Sequence, residues 1–302
     1  MKKQMFKNNP FSKTKTKTII YWFIIAVPIL ILCFIVFGIF LNLPELTKNS
    51  QVDFEDPLFT NISINILFYF LIVLWLIYYQ ARSKFRFKYL IGKMSNFKKH
   101  VRLLLLVIPM LVFSVGTAEI IFYLLFFVSP ETASEFANQD LLLTAEKTNY
   151  PLLYNAIEII SIIIIAPITE EVLFRGIFLH RWSTKWSIAT ATIISSIVFG
   201  CLHFNFIGIS MLGFVLALTY LRTKSLIIPI AIHFLNNLIA VLLSLVNFLD
   251  PSQETSTFAE VQSYWWQGAI AIVISLPWLI IFSRNNWKFT QEPLPYFANR
   301  GN

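Results

Sequence analysis

Charge is scarce in this sequence: 13% of the 302 residues are charged and 57% are hydrophobic. Soluble domains average about 25% charged residues, so the chain is depleted roughly twofold. That deficit excludes an ordinary soluble domain and points to a polytopic membrane protein. Cysteine is almost absent, and Cys33 and Cys201 both lie in apolar stretches. Two isolated thiols make neither a disulfide framework nor a zinc cluster. The sequence contains no repeat at a 20–50-residue period, no low-complexity tract and no C-terminal lipidation box. A cleavable signal peptide is not expected. The first apolar run, about 24 residues, exceeds a signal h-region and lacks a small-x-small cleavage site.

What the chain does have is apolar length. Eight stretches stand out, at about 19–42, 59–79, 103–128, 152–179, 187–204, 206–221, 226–249 and 265–283. A helix crosses a hydrocarbon core with about 20 residues, and the short, closely joined fifth and sixth stretches are the weakest spans. The expected fold is all-α: a polytopic membrane helical bundle of about eight transmembrane helices. Threading the chain through these spans sorts its charges. Residues 1–18 carry six lysines and 80–102 carry eight Lys/Arg, with no acid in either. Arg181, Lys185, Arg222, Lys224, Arg284, Lys288 and Arg300 fall on the same side. Glu45, Asp53, Glu55, Asp56, Glu131, Glu135, Asp140, Glu146, Asp250, Glu254 and Glu260 fall on the other, with only Lys48 and Lys147 as bases. This positive-inside pattern predicts both termini in the cytoplasm. The net charge of +8 is then a topology signal. No nucleic-acid partner is expected; the partner is the bilayer, with anionic lipid adhesion secondary.

Ionisable groups inside spans cost about 2.5–3.5 kcal/mol on insertion scales and are functional candidates by default. Glu119 and Glu158 lie toward the outer ends of their helices. The simpler reading is that they reach water or pair with neighbours such as Thr117 or Asn155. Glu170 and Glu171 sit in "APITEEVLFRGIFLHRW", residues 166–182, beside better partners. Glu171 and Arg175 are four apart and share a helical face, whereas Glu170 points about 100° away. Pro167 removes a backbone hydrogen bond and predicts a kink that opens the backbone near Glu170. A salt bridge at the helix end explains this stretch alone equally well.

The four histidines shift that balance. His100 lies in a basic loop, His180 at an interface, and His203 and His233 inside spans. Phe199 precedes His203 by four residues, and Asn237 follows His233 by four on the same helical face. A lone intramembrane histidine usually bridges helices. Two histidines with an asparagine and a glutamate pair exceed what bundle packing requires. Helical rise puts Glu170 on the order of 18 Å, His233 about 11 Å and His203 roughly 24 Å from the cytoplasmic side. A hairpin of the fifth and sixth spans that stops short of the outer surface would bring them together.

Two chemistries fit this set. A carboxylate and an imidazole facing one water make a general base. His233 and Asn237 are donors for an oxyanion, worth about 2.7–4 kcal/mol of barrier each. Alternatively, Glu170, His203 and His233 form a two-His-one-carboxylate set suited to zinc with bound water, although the paired-His H-E-x-x-H helix is missing. Residue types alone leave zinc open.

The motifs E-E-x-x-x-R at Glu170, Glu171 and Arg175, F-x-x-x-H at Phe199 and His203, and H-x-x-x-N at His233 and Asn237 occur in that order. Over about residues 150–245 the chain thus resembles the CAAX-prenyl-protease and bacteriocin-processing (Abi) family of intramembrane glutamic endopeptidases. The resemblance implies that Glu170 is the base, His203 its partner in activating water, and His233 with Asn237 the oxyanion site. Glu171 and Arg175 would be the supporting pair, with Phe199 beside them. It implies no metal and no other cofactor, and a membrane-associated peptide or protein as substrate. The expected organisation is 1–145, a cytoplasmic tail plus three spans of unassigned role; 146–250, the protease core; and 251–302, a final span and tail. A bacterial plasma membrane is the expected location. The competing functions are a non-proteolytic bacteriocin-immunity or membrane scaffold protein, and a proton-relay transporter, for which no repeat symmetry speaks.

Overall fold

A computed structural model describes residues 9–13, 21, 28–29, 32, 56–93, 97–137, 141–249 and 258–301. Most of the first predicted span, 19–42, lies outside these residues. So do Cys33 and the acids Glu45, Asp53, Glu55, Asp140, Asp250 and Glu254. Among the described residues every regular element is helical. The main helices are α1 (Pro57–Ser83), α2 (Val107–Val128), α3 (Pro151–Trp182), α4 (Ile188–Gly200), α5 (Phe206–Thr223), α6 (Ile227–Phe248), α7 (Phe258–Asn286) and α8 (Pro295–Gly301). Six segments are long and apolar enough to cross a membrane: Ile64–Ser83, Val101–Val128, Pro151–Trp182, Phe206–Thr223, Ile227–Val246 and Gln262–Gln291. The protein is a polytopic α-helical membrane protein, and six of the eight predicted spans appear at full length. The fifth is shortened to α4, whose 13 residues extend only about 20 Å.

The chain forms two compact units. The first comprises residues up to Phe85 together with Leu142–Thr169. Within it, α1 meets the first turns of α3, where Asn65 donates to Glu158 across 3.2 Å. Asp56, just before α1, accepts from the Asn149 amide at 2.6 Å and from the Thr148 hydroxyl, fixing the entry to α3. Glu158 is therefore partnered, but from the facing helix rather than by Asn155, which pairs with the Leu143 backbone.

The second unit comprises Arg86–Leu141 and Glu170–Asn302. Its centre is α5, where Val215 through Leu221 are all fully buried. A helix apolar all round is stable only when surrounded, so one of the two weakest predicted spans is the most enclosed of the six. Asn205 caps α5 by accepting from the Gly208 amide, and Lys224 ends it in a left-handed conformation (φ 57°). Ser187 caps α4 through the Thr190 amide at 3.0 Å. Helices α2 and α7 touch at Gly116 and Gly268, where a Cβ on Gly116 would stand 2.6 Å from the Gly268 carbonyl. Small residues at this crossing let the backbones approach as membrane helices do. Glu119 lies at this crossing. Its Oε2 is buried without a hydrogen-bond partner, and Thr117, its expected neighbour, instead bonds Asn205 and its own helix.

Candidate active site

The site starts from a distortion of α3. Its backbone alternates between α and wider π turns, with π segments at Ser161–Ile165 and Val172–Phe178. The kink predicted at Pro167 takes this form: the turn widens just before the proline, and the Thr169 hydroxyl donates to the Ile165 and Ala166 carbonyls. π turns cost hydrogen-bond geometry and concentrate at functional sites. The second one begins directly after Glu171 and contains Arg175.

Arg175 is fully buried and held on three sides. It donates to Glu171 Oε1 at 2.7 Å and to the Gly213 carbonyl on α5 at 2.9 Å, and its guanidinium lies 4.6 Å over the Phe199 ring. The predicted pairing of Glu171 with Arg175 is present. A buried charge needs such company, because an unpaired ion in this environment costs several kcal/mol. Gly213 makes the approach possible, since a Cβ there would stand 3.0 Å from Phe199 Cδ1 and 3.2 Å from Arg175 Nη2.

Helix α6 completes the network. His233 is buried, with Nδ1 3.1 Å from Glu171 Oε1 and Nε2 3.8 Å from Glu170 Oε2. One imidazole thus faces both glutamates, which motif spacing alone did not indicate. Glu171 Oε1 serves Arg175 and His233 together, while its Oε2 is buried with no hydrogen-bond partner. Glu170 keeps about a fifth of its side-chain surface open and is the accessible carboxylate of the pair. Asn237 lies one turn beyond His233 and accepts from the Asn236 amide at 3.3 Å.

His203 lies three residues past the end of α4, in the turn that leads to α5, rather than within a span. Helix α4 ends at Gly200, before this turn. The His203 Nδ1 is 2.9 Å from the Phe199 carbonyl, and its ring packs 5.0 Å from the Phe199 ring. His233 meets the same ring edge-on at 5.9 Å. Phe199 therefore packs against both histidine rings, and of the two His233 has the ion-pair contact with Glu170. Among the described residues, no group of three His, Cys, Asp or Glu side chains has the geometry to hold a metal ion.

Two participants were missed in the sequence. Asn205 donates to Ser114 on α2 at 2.7 Å and accepts from Thr117 at 3.0 Å, anchoring the turn that carries His203. A cap residue at a helix start was a legible signal for it. His180, read as interfacial, is fully buried, with Tyr296 of α8 packed against it. Its Nδ1 lies 3.1 Å from the Arg175 carbonyl, and its Nε2 accepts from the Tyr296 amide at 3.3 Å. Those partners require the tautomer protonated on Nδ1. A chain of contacts thus runs from Tyr296 through His180, Arg175, Glu171 and His233 to Glu170.

Residues 152–239, which contain every candidate site residue, match the family described as "Type II CAAX prenyl endopeptidase Rce1-like". Over 148 residues the chain is 30% identical to "Putative membrane peptidase YdiL" of Bacillus subtilis (strain 168). That match covers 48% of this chain and 57% of the relative, so just over half of the relative's length is spanned. No solved structure matches the chain.

Proposed function

We propose that this protein, whose residues 152–239 match the CAAX prenyl endopeptidase family model, is a metal-independent intramembrane glutamic endopeptidase. Its substrate is a membrane-associated peptide or protein. The observation that carries the reading is the placement of one accessible carboxylate, Glu170, against an imidazole whose other nitrogen is held by a buried Glu171–Arg175 pair. Structural salt bridges do not need the accessible acid.

Glu170 takes a proton from water as that water attacks the amide carbonyl. The two histidines differ in what holds their Nδ1 atoms. His203 donates Nδ1–H to a backbone carbonyl, which leaves Nε2 a lone pair to share the same water with Glu170. His233 has a carboxylate facing each nitrogen. Glu171 orients the ring through Nδ1, and His233 with the Asn237 amide faces the tetrahedral oxyanion. Glu170 then returns the proton to the leaving amine. Preorganised donors of this kind supply about 2.7–4 kcal/mol each.

The test is comparative membrane proteomics of cells expressing wild type or Glu170→Gln protein, followed by cleavage of the accumulating substrate by purified enzyme. Accumulation of an uncleaved substrate only in the variant is the expected result. Activity equal to wild type in the variant would remove Glu170 as the base, and full biological complementation by it would favour a non-proteolytic immunity or scaffold role. Cleavage unchanged by chelators, with no stoichiometric metal in the active protein, is expected. Loss of activity on chelation, restored by zinc, would overturn metal independence.

A further inference from the structure

A groove of about 640 Å³ lies in the second unit, between the turn entering α2 and its first residues, the end of α5 and the C-terminal half of α7. Its volume falls in the range of roughly 300–1,000 Å³ usual for small-molecule sites. None of Glu170, His203 or His233 lines it. Its wall is apolar along Leu106, Pro109, Val112, Ile274 and Trp278, while Arg102, Arg222, Asn285 and Asn286 gather among its lining residues. Arg222 donates to Asn286 Oδ1 at 3.1 Å, and the buried Asn286 is itself fixed to the Phe282 carbonyl at 2.7 Å. One cation is therefore preorganised rather than trailing in solvent.

The groove's rim decides what can enter. Leu105, Ile108, Trp278 and Ile281 are all more than half exposed, yet they sit in segments apolar enough to span a membrane. Such a rim opens toward hydrocarbon, so an occupant arrives from the bilayer. A peptide would leave its backbone amides unsatisfied against this wall, whereas an acyl chain makes no such demand. Guanidinium pairs suit phosphate by geometry as well as charge, and the arginines belong to the basic end of their helices. We propose that this groove is a binding site for one anionic phospholipid, with its phosphate at Arg102 and Arg222 and an acyl chain along Pro109, Val112 and Trp278.

The experiment is native mass spectrometry of the full chain taken from nanodiscs of phosphatidylcholine with phosphatidylglycerol added. Wild type should retain one phosphatidylglycerol in preference to phosphatidylcholine. Losing a charge-assisted contact lowers affinity about tenfold, so Arg102→Gln and Arg222→Gln should each weaken retention by that factor. The charge-matched control Lys185→Gln with Arg284→Gln should retain it. Val112→Trp, which fills the apolar wall with both arginines intact, should also lose the lipid while circular dichroism stays unchanged. Equal retention of both lipids by wild type would overturn the proposal without recourse to any variant. So would normal retention by Arg102→Gln combined with Arg222→Gln or by Val112→Trp, or displacement of the lipid by inorganic phosphate alone.

Discussion

The Nδ1 of His233 lies 3.1 Å from Oε1 of Glu171, the same oxygen that takes the Arg175 guanidinium at 2.7 Å. One buried carboxylate oxygen therefore organises groups from α3 and α6. Removing one partner of a buried ion pair costs about 3–5 kcal/mol, while removing both is far cheaper. Glu171→Gln should lower thermal stability in detergent by about that amount, and Glu171→Leu combined with Arg175→Met should recover most of it. Activity should be lost in both. A Glu171→Gln protein as stable as wild type would mean the pair is not what holds the site.

Glu170 contrasts with its neighbour. It is the more open carboxylate, and its ion-pair contact, His233 at 3.8 Å, is too long for a hydrogen bond. Glu170→Gln should therefore unfold at the wild-type temperature yet cleave about 10²–10⁴-fold more slowly. A parallel loss of stability and rate would assign Glu170 to the scaffold instead. Measuring both on one preparation separates the outcomes.

The sequence made the membrane class legible because apolar length and charge sorting are averages over many residues. It also made the Glu171–Arg175 pair legible, since helical spacing alone determines which side chains can meet. It did not reveal that His233 faces both glutamates, because that depends on the relative placement of α3 and α6. The apolar run 187–204 reads as one helix, whereas its helix covers Ile188–Gly200. A helix ending at Gly200 turns a residue deep in a span into one on a connecting loop. His180 read as interfacial because its cover comes from Tyr296, more than a hundred residues later.

Gly213 tests whether packing sets the site's geometry. A methyl there would press on Phe199 and Arg175 at 3.0 and 3.2 Å. Overpacking of this kind costs about 1–3 kcal/mol, and the side chains that must yield are the ones positioning Glu171. Gly213→Ala should reduce stability by that amount and reduce turnover further than the stability loss explains. Gly301, where an added Cβ meets nothing within 4 Å, is the control, and Gly301→Ala should behave as wild type.

The two histidines should separate in the same assays. His203 is exposed, and its Nδ1 bonds the Phe199 carbonyl of its own turn. His233 is buried and shares the Glu171 carboxylate. Deleting a buried hydrogen-bond partner costs about 1–3 kcal/mol, because the group left behind is desolvated and unsatisfied. His233→Ala should therefore lose both stability and cleavage, and His203→Ala should lose cleavage alone, by about 10²–10⁴-fold if it shares the water with Glu170. An active His203→Ala enzyme would leave Glu170 and His233 as the whole of the water-activating pair. A His203→Ala protein as destabilised as His233→Ala would instead make the turn after α4 a structural element.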